Sequence, residues 1–410
     1  MTDGLITVEE ALGRILATAS APLGTERVPL SSGSGRTLAV DLGARRSQPP
    51  ADVSAMDGYA VRAADLRAVP ATLRLVGVSA AGRPFADRLE AGDCARIFTG
   101  AALPAGADTV LMQENARAEG NRVTALQSEP EGRNVRRAGL DFMAGEVPLR
   151  RGRRLGASEI ALAASMNHAE LPVVRRPRVG ILSTGDELVP PGSEPGPGQI
   201  VASNGYAVAA IVASAGGEPV DLGIAADTQA ALAAALERAS GAALDVLVTL
   251  GGASVGEHDL VRGALGRAGM ALSFWKVALR PGKPLMHGTL GALRVLGLPG
   301  NPVSTIVCGV LFLRPLIRAL SGDTAPGLPL VEPALLGAAL PANGDRQDFM
   351  RATLEQPTGA LPVVTAASIQ DSSMLKVLAG AQALIVRPPF HPPQPAGAPC
   401  GIMRLESLCR

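Results

Sequence analysis

A glycine-rich turn in the middle of the chain has the residue types of a phosphate-binding site. Gly251, Gly252, Ser254 and Gly256 follow an apolar run at residues 245–250. Glycines leave their backbone N–H groups unobstructed by a Cβ atom, and the serine adds a hydroxyl, so such a turn near a helix start can bind phosphate oxygens. A plain tight turn after a strand is the alternative, because the motif is neither a Walker loop nor a strong dinucleotide fingerprint.

A basic segment comes shortly after this turn. If residues 274–280 are extended, Lys276 and Arg280 share one face, and the Pro281-Gly282 pair can turn Lys283 back to the same region. Three cations held together indicate an oxyanion site. An edge strand whose basic residues are solvated is the alternative.

Carboxylates occur beside the same features, although acids repel phosphate. Glu187 and Asp227 follow predicted strands, and Asp259 follows the glycine turn. A hard cation reconciles the two, since Mg²⁺ binds one or two carboxylates together with phosphate oxygens and water. The residues therefore predict a phosphate ester held with Mg²⁺. Asp227 also suits a helix cap, and the two roles are compatible.

These residues belong to a predicted α/β unit between residues 178 and 320, where apolar strand-like runs alternate with helical segments. Four of its strand ends are polar or glycine-rich: residues 184–187, Asp227, residues 251–256 and residues 299–302. Ligands in open α/β sheets bind beyond the carboxyl ends of the strands. The agreement of four ends therefore predicts one shared site.

The rest of the chain predicts further domains, and its 410 residues allow roughly two to four of them. A capping box, Thr7-Val-Glu-Glu10, predicts an opening helix. Short β-like runs separated by turns predict a small β-rich domain over residues 54–140. Residues 150–170 have a helical pattern, and the Pro- and Gly-rich chain after Thr324 predicts a second small β domain.

Composition excludes several classes of protein. A net charge of +1 gives no general attraction to nucleic acid or membrane, and the four cysteines are dispersed without a CxxC motif. The apolar stretch 295–313 is interrupted by Gly-Asn-Pro, which predicts a strand, a turn and a helix rather than a membrane span. The N-terminus lacks a secretory pattern, so we expect a cytoplasmic protein.

Seven motifs occur in order along the chain: SAMDGYAV (54–61), RIFTGAALPAGADTV (96–110), STGDEL (183–188), SN (203–204), TLGGASVGEHD (249–259), WKVALRPGKP (275–284) and LPGNPVS (298–304). Together they closely resemble the molybdopterin molybdenumtransferase family, the bacterial MoeA type to which the C-terminal domain of gephyrin is related. The resemblance spans about residues 5 to 390. The ordered set is far more specific than any one motif.

The resemblance implies a mixed α/β multidomain fold. It places a discontinuous domain at residues 1–50 plus 141–176, and an inserted small β-rich domain at 51–140. A central three-layer α/β molybdopterin-binding domain follows at 177–324, and a C-terminal β-barrel at 325–410. It further implies an elongated homodimer, whose active site lies between the α/β domain and parts of the partner subunit.

The activity implied is the Mg²⁺-dependent insertion of molybdate into adenylylated molybdopterin, with release of AMP. Motif by motif, the resemblance implies catalytic roles for Asp57, Thr99, Asp141, Glu187, Asp227, Asp259, Lys276 and Arg280. It implies substrate binding at the glycine turn and at Lys283, Pro284, Ser304, Arg351 and Ser372, and a metal at Glu187, Asp227 and Asp259. Expected partners are the adenylyltransferase that makes the substrate and the recipient molybdoenzymes, without nucleic acid or membrane.

The chain departs from the family pattern at two positions. Arg280 stands where the family usually has lysine, and Asp371 adds a negative charge beside Ser372.

Three alternative functions accompany the resemblance. One is a molybdopterin adenylyltransferase, which shares the α/β domain but lacks the region 54–140. The second is a non-catalytic scaffold of the gephyrin kind. The third is a nucleotide pyrophosphatase built on the related competence-damage type domain, which would also lack the region 54–140.

Overall fold

The computed structural model describes residues 5–251 and 260–405. The first helix, α1 (Val8–Ala17), begins at Thr7, whose hydroxyl oxygen accepts a hydrogen bond from the Glu10 backbone N–H at 3.1 Å. Half of the predicted capping box therefore forms. The Glu10 carboxylate pairs with Arg14 one turn later instead of with the backbone at the cap. The first strand, β1 (Thr25–Pro29), follows.

The next part of the chain is a small β unit, as predicted. Its strands are β2 (Val53–Ser54), β3 (Gly58–Val61), β4 (Ala71–Ser79), β5 (Asp93–Ile97), β6 (Thr109–Met112), β7 (Ala116–Glu119), β8 (Arg122–Ala125) and β9 (Val135–Arg136). Six of them form one sheet in the order β6-β3-β5-β4-β8-β7, and β2 pairs with β9. Tyr59 and Ala60 are neighbours on β3 yet belong to different apolar clusters, so this sheet has a core on each face.

The chain then returns to the region of β1. Helix α2 (Ala157–Ser165) leads to β10 (Glu170–Val174), which pairs antiparallel with β1. Leu38, from before the small β unit, shares one apolar cluster with Leu149 and Leu171 from after it. The two segments therefore have a common core, although the boundaries at residues 50, 140 and 176 stay predictions.

The α/β unit carries most of the candidate site. Its elements are β11 (Arg178–Thr184), β12 (Leu188–Val189), β13 (Ile200–Val201), α3 (Asn204–Ala215), β14 (Glu218–Ala225), α4 (Gln229–Gly241), β15 (Val246–Leu250), α5 (Leu260–Arg267), β16 (Ala271–Lys276), β17 (Leu279–Arg280), β18 (Pro284–Leu290), β19 (Leu293–Leu298), α6 (Pro302–Cys308) and α7 (Arg314–Leu320). The main sheet has the order β14-β11-β15-β19-β18-β16. Strands β14, β11, β15 and β19 are parallel, and β18 runs antiparallel to both of its neighbours, β19 and β16. Helices α1, α3, α6 and α7 cover one face and α4 and α5 the other, which confirms the three-layer fold.

The most apolar helical segment is part of this core. Residues Pro302–Leu320 are long and apolar enough to cross a membrane, with a mean hydropathy of 1.7, yet 78% of that stretch is buried inside the protein. A π-helical turn, Gly309–Leu313, joins α6 to α7. A Cβ atom at Gly309 would lie 2.9 Å from Ile211 Cδ1, so the glycine permits close packing against α3. Core packing therefore accounts for the apolar character of this segment.

The C-terminal region is a closed barrel, as the fold prediction requires. Its elements are β20 (Glu332–Leu336), β21 (Gln347–Glu355), β22 (Val363–Ala366), α8 (Leu375–Ala379), β23 (Ala383–Arg387) and β24 (Pro399–Arg404). The pairing runs β21-β22-β20-β24-β23 and returns to β21. Strand β17 of the α/β unit pairs in parallel with the start of β21, so a backbone ladder joins the two units.

Candidate functional site

A cleft of about 620 Å³ lies between the carboxyl ends of the α/β strands and a loop of the barrel. Each of the four polar strand ends contributes to it: Glu187 after β11, Asp227 after β14, Gly251 after β15, and Asn301 after β19. All four strand ends therefore line the same cleft, as predicted. Residues 370–372 of the barrel line the cleft as well.

Hydrogen bonds between neighbouring strand ends shape the cleft floor. The Thr184 hydroxyl donates to the Leu250 carbonyl at 3.3 Å, and the Asn204 amide donates to the Gly300 carbonyl at 2.7 Å. Gly251 has φ +92°, and a Cβ atom there would lie 2.7 Å from the Thr184 carbonyl oxygen, so only glycine suits this position. Of the other predicted glycine-turn residues, Gly252, Ser254 and Gly256 lie outside the described residues, as does Asp259.

Acidic side chains gather on one side of the cleft. Glu187 and Asp227 line it, and the Asp186 carboxylate accepts a hydrogen bond from the Asp227 backbone N–H at 3.0 Å. Partial burial raises the pKa of Asp227, and the charges of Asp186 and Glu187 raise it further. Such a concentration of negative charge favours a bound cation, and carboxylate oxygens are donors that suit Mg²⁺. Within residues 5–251 and 260–405, no three His, Cys, Asp or Glu side chains form a ready metal-binding group.

Two cations, Lys283 and Arg346, also line the cleft. Lys283, which was predicted, is exposed and lines it next to Pro284. Arg346, which was not predicted, also lines it from the turn before β21. The chain around it reads Asp345-Arg-Gln-Asp-Phe349, directly ahead of Arg351 in "DFMR". The sequence signal for Arg346 is therefore its position five residues before Arg351 in the same motif.

The other two predicted cations of the basic segment have partners of their own. Arg280 lines the cleft, but its guanidinium forms a bidentate ion pair with Asp348, in which Nε donates to Oδ1 at 2.7 Å. That hydrogen bond raises the pKa of Arg280. The Lys276 ammonium lies over the Trp275 ring, 3.8 Å from its centroid, and Lys276 does not line the cleft.

Two serines reach the cleft from different units of the protein. Ser304 is buried in the first turn of α6, and Ser372 belongs to the barrel loop. The Asn301 amide donates to the Ser372 hydroxyl oxygen at 2.8 Å, and the Val303 N–H donates to the Ser372 carbonyl at 3.0 Å. These bonds fix the barrel loop on the start of α6.

Arg351, which the resemblance placed among the substrate-binding residues, lies outside the cleft. Its side chain is completely buried and does not line the cleft. Its Nη2 donates to the Ile369 carbonyl at 3.4 Å, whereas Nε and Nη1 have no hydrogen-bond partner among the described residues. The Gln370 side-chain oxygen accepts a hydrogen bond from the Arg351 N–H at 3.0 Å, and the Gln370 amide nitrogen donates to the Arg351 carbonyl at 2.9 Å. Arg351 therefore lies beneath the loop that carries Ser372 and supports it.

The negative charge at Asp371 faces the same cleft. Its carboxylate accepts hydrogen bonds from the Ser373 hydroxyl at 2.6 Å and the Ser373 N–H at 2.8 Å. These bonds lower the pKa of Asp371, with a smaller contribution from the charge of Arg351. An ionised acid is thus held close to the serine that was predicted to contact an oxyanion.

Three predicted residues of the N-terminal half lie away from this cleft. The Asp57 carboxylate accepts hydrogen bonds from the Thr99 N–H at 2.7 Å and from its hydroxyl at 2.8 Å, and these bonds lower its pKa. Asp141 lies in a second groove, which Gly100 also lines. None of the three lines the cleft of its own chain.

Comparison with known proteins identifies the family. Residues 6–167 match the model described as "MoeA N-terminal region (domain I and II)", residues 180–319 the "probable molybdopterin binding domain", and residues 333–402 the "MoeA C-terminal region (domain IV)". A molybdopterin molybdenumtransferase of Nostoc is 39% identical over 89% of this chain and 85% of its own. The chain belongs to the molybdopterin molybdenumtransferase family.

Other relatives agree with this assignment. The molybdopterin molybdenumtransferase of Haemophilus influenzae is 37% identical over 85% of each chain. The crystal structure of a MoeA protein from Pyrococcus horikoshii superimposes with a TM-score of 0.81 at 30% identity, and covers 98% of this chain and 99% of its own. As a member of the molybdopterin molybdenumtransferase family, the protein is an enzyme of molybdenum cofactor biosynthesis. The N-terminal match includes the region 54–140 that the adenylyltransferase alternative lacks.

Proposed function

We propose that this protein inserts molybdate into adenylylated molybdopterin and releases AMP, with Mg²⁺ required. One observation carries the proposal: strand-end acids, an exposed lysine and two serines from different units converge on a single cleft. The names of the relatives support the substrate class.

The oxyanion half of the site would consist of the cations and hydroxyls. Molybdate is a tetrahedral dianion, and it suits several charge-assisted donors that approach from different directions. Lys283 and Arg346 supply the positive charge, and Ser304 and Ser372 supply hydroxyl donors. Ser372 is held by Asn301 and by the Val303 N–H, so its hydroxyl is positioned before the ligand arrives.

The phosphate half of the site would lie over the acids and the glycine turn. Gly251 opens that turn on the cleft floor. Glu187 and Asp227 would hold Mg²⁺, with Asp259 as a further expected ligand. When bound, Mg²⁺ would neutralise charge on the phosphate oxygens as AMP leaves.

A homodimer belongs to the same proposal. Asp57, Thr99 and Asp141 do not line the cleft of their own chain, although the family motifs imply a role for each in the reaction. We infer that the small β unit of one protomer completes the cleft of its partner. The adenylyltransferase that makes the substrate, the recipient molybdoenzymes and a cytoplasmic location are parts of this proposal as well.

The role of Lys283 tests the proposal. In an assay of AMP release from adenylylated molybdopterin, Lys283→Ala should raise the KM for molybdate by about tenfold or more, because a charge-assisted donor is lost. Lys376→Ala is the matched control, since Lys376 is exposed on α8 outside the cleft. Consumption of ATP without molybdate-dependent AMP release would favour the adenylyltransferase alternative. Unchanged KM in Lys283→Ala would contradict the assignment of the oxyanion half.

A further inference from the structure

The junction between the α/β unit and the barrel contains an ion pair of unequal partners. Asp348 on β21 is 1% exposed, whereas the Arg280 side chain on β17 is about half exposed. Arg280 Nε and Nη2 each donate to one Asp348 oxygen. The planar fork of arginine matches a carboxylate in this way, and a lysine ammonium cannot reproduce it.

Asn343 extends this contact to the cleft wall. Its side-chain oxygen accepts from Arg280 Nη2 at 3.4 Å, and its amide nitrogen donates to the Arg346 carbonyl at 2.9 Å. The same amide donates to the Pro388 carbonyl at 2.8 Å. Arg280 is therefore connected through one side chain to the backbone of Arg346, a residue that lines the cleft.

The backbone around the ion pair joins the same two units. Arg280 is opposite Asp348 in the parallel pairing of β17 with β21, and the Gln347 N–H donates to the Ala278 carbonyl at 2.9 Å. Lys283 lies three residues beyond Arg280 on one side of the junction. On the barrel side, Arg351 lies three residues beyond Asp348 beneath the loop that carries Ser372.

We propose that Asp348 and Arg280 form an interdomain clamp that sets the distance between the two walls of the cleft, so that both act as positioning residues rather than as ligands of the oxyanion. Asp348 accepts hydrogen bonds from Arg280 Nε and Nη2, so its buried carboxylate offsets the charge of this guanidinium. Lys283 and Arg346 are the other cations that line the cleft among the described residues, and Arg346 Nε lies 4.0 Å from an Asp345 carboxylate oxygen. This inference rests on the proposed function for the identity of the oxyanion.

The two possible roles of Arg280 predict opposite results when Asp348 loses its charge. If Arg280 is an oxyanion ligand that Asp348 neutralises, Asp348→Asn should free it and tighten molybdate binding. If the pair is a clamp, Asp348→Asn should weaken molybdate binding by about tenfold or more. The binding groups of the α/β unit and of the barrel would then no longer be held in position around one anion, and small misplacements of such groups are costly. Asp348→Glu keeps the charge and should fall between wild type and Asp348→Asn.

The experiment is calorimetric titration of the full-length protein with sodium molybdate, combined with amide hydrogen exchange. Arg280→Lys is the second variant, because its partly exposed side chain can be replaced without unfolding a core, and it should weaken binding like Asp348→Asn. Glu332→Gln is the matched control: it breaks the Arg404 ion pair in the same barrel, away from the cleft, and should bind molybdate as wild type does.

Hydrogen exchange supplies a readout that is independent of molybdate. The Val303 N–H donates to the Ser372 carbonyl and so joins α6 to the barrel loop. Its exchange should accelerate in Asp348→Asn and Arg280→Lys but not in Glu332→Gln. Faster amide exchange at Gln347 without faster exchange at Val303 would show that the ion pair orders only its own strand pairing, which would overturn the proposal. Tighter or unchanged molybdate binding in Asp348→Asn would also overturn it. If wild type bound no molybdate, the proposed function would fail, and Val303 exchange would still decide the clamp.

Discussion

At the scale of single residues, the charge around Asp227 decides what its side of the cleft can bind. Its carboxylate shares the site with Asp186 and Glu187, and partial burial together with those charges raises its pKa. A raised pKa means that the folded protein holds the proton more tightly than the unfolded chain does. Ionised Asp227 therefore destabilises the fold slightly, which a bound cation would reverse.

This sign gives a prediction for pH dependence. The destabilising effect should be absent below the ordinary value of 3.8 and should develop as the pH rises through the raised pKa. Asp227→Asn should therefore unfold at a higher temperature than wild type at pH 7, with the difference vanishing near pH 3.5. MgCl₂ at pH 7 should raise the unfolding temperature of wild type and not of the variant. Equal stability at pH 7, or an equal response to Mg²⁺, would count against a cation site at Asp227.

The strand-end residues of the cleft could be predicted from local sequence, whereas Pro284, Ser304 and Ser372 were implied only by the family resemblance. Glu187, Asp227 and Gly251 each follow an apolar strand, so the rule for parallel sheets places them together. Asp348 could not be predicted, because its partner Arg280 lies 68 residues away and only the pairing of β17 with β21 brings them together. The burial of Arg351 could not be predicted either, because a sequence motif specifies the type of a residue and not how far its side chain is buried.

At the scale of elements, the short turn between β17 and β18 controls the position of Lys283. Gly282 has φ +119°, and a Cβ atom there would lie 2.4 Å from Cys308 Sγ and 3.2 Å from Leu279 Cδ1. The turn thus packs directly on α6, which carries Ser304. Sequence reasoning recognised the Pro281-Gly282 turn but could not show what it packs against.

Gly282→Ala should therefore disturb both stability and binding. We expect a loss of about 1–3 kcal/mol in the free energy of unfolding, as for other overpacked core sites, and weaker molybdate binding because Lys283 moves. Gly291→Ala is the control, since Gly291 also has a positive φ of +59° but has open space at its Cβ position. Denaturant unfolding and molybdate titration of both variants measure the difference. Normal molybdate affinity in Gly282→Ala would show that the turn does not position Lys283.

At the scale of the whole molecule, the sequence predicted the kinds of domain better than their mutual contacts. Alternating apolar runs identified the α/β unit, and dense turns identified the two β-rich regions, because each pattern is local. The closed barrel and the pairing of β1 with β10 depend on contacts between distant segments, and only the family resemblance implied the former. The homodimer stays a prediction.

Mixing two impaired variants tests the shared site. At a molybdate concentration far below the KM of Lys283→Ala, this variant and Asp57→Asn should each have little activity alone. If the small β unit of one protomer completes the cleft of the other, randomly exchanged subunits should regain about a quarter of wild-type activity, because half of the dimers would contain one intact site out of two. The measurement is molybdate-dependent AMP release after joint refolding. No recovery, with dimers present by sedimentation, would mean that each site belongs to one chain.

The most direct test of the oxyanion site is a crystal of this protein soaked in sodium molybdate, with diffraction recorded at the molybdenum absorption edge. The anomalous signal locates the metal without assumptions about its ligands. We predict a single strong peak in the cleft, within hydrogen-bonding reach of Lys283 and between Ser304 and Ser372. An electron-density map that shows the whole cleft without a peak there, or with a peak only elsewhere on the protein, would contradict the proposed site.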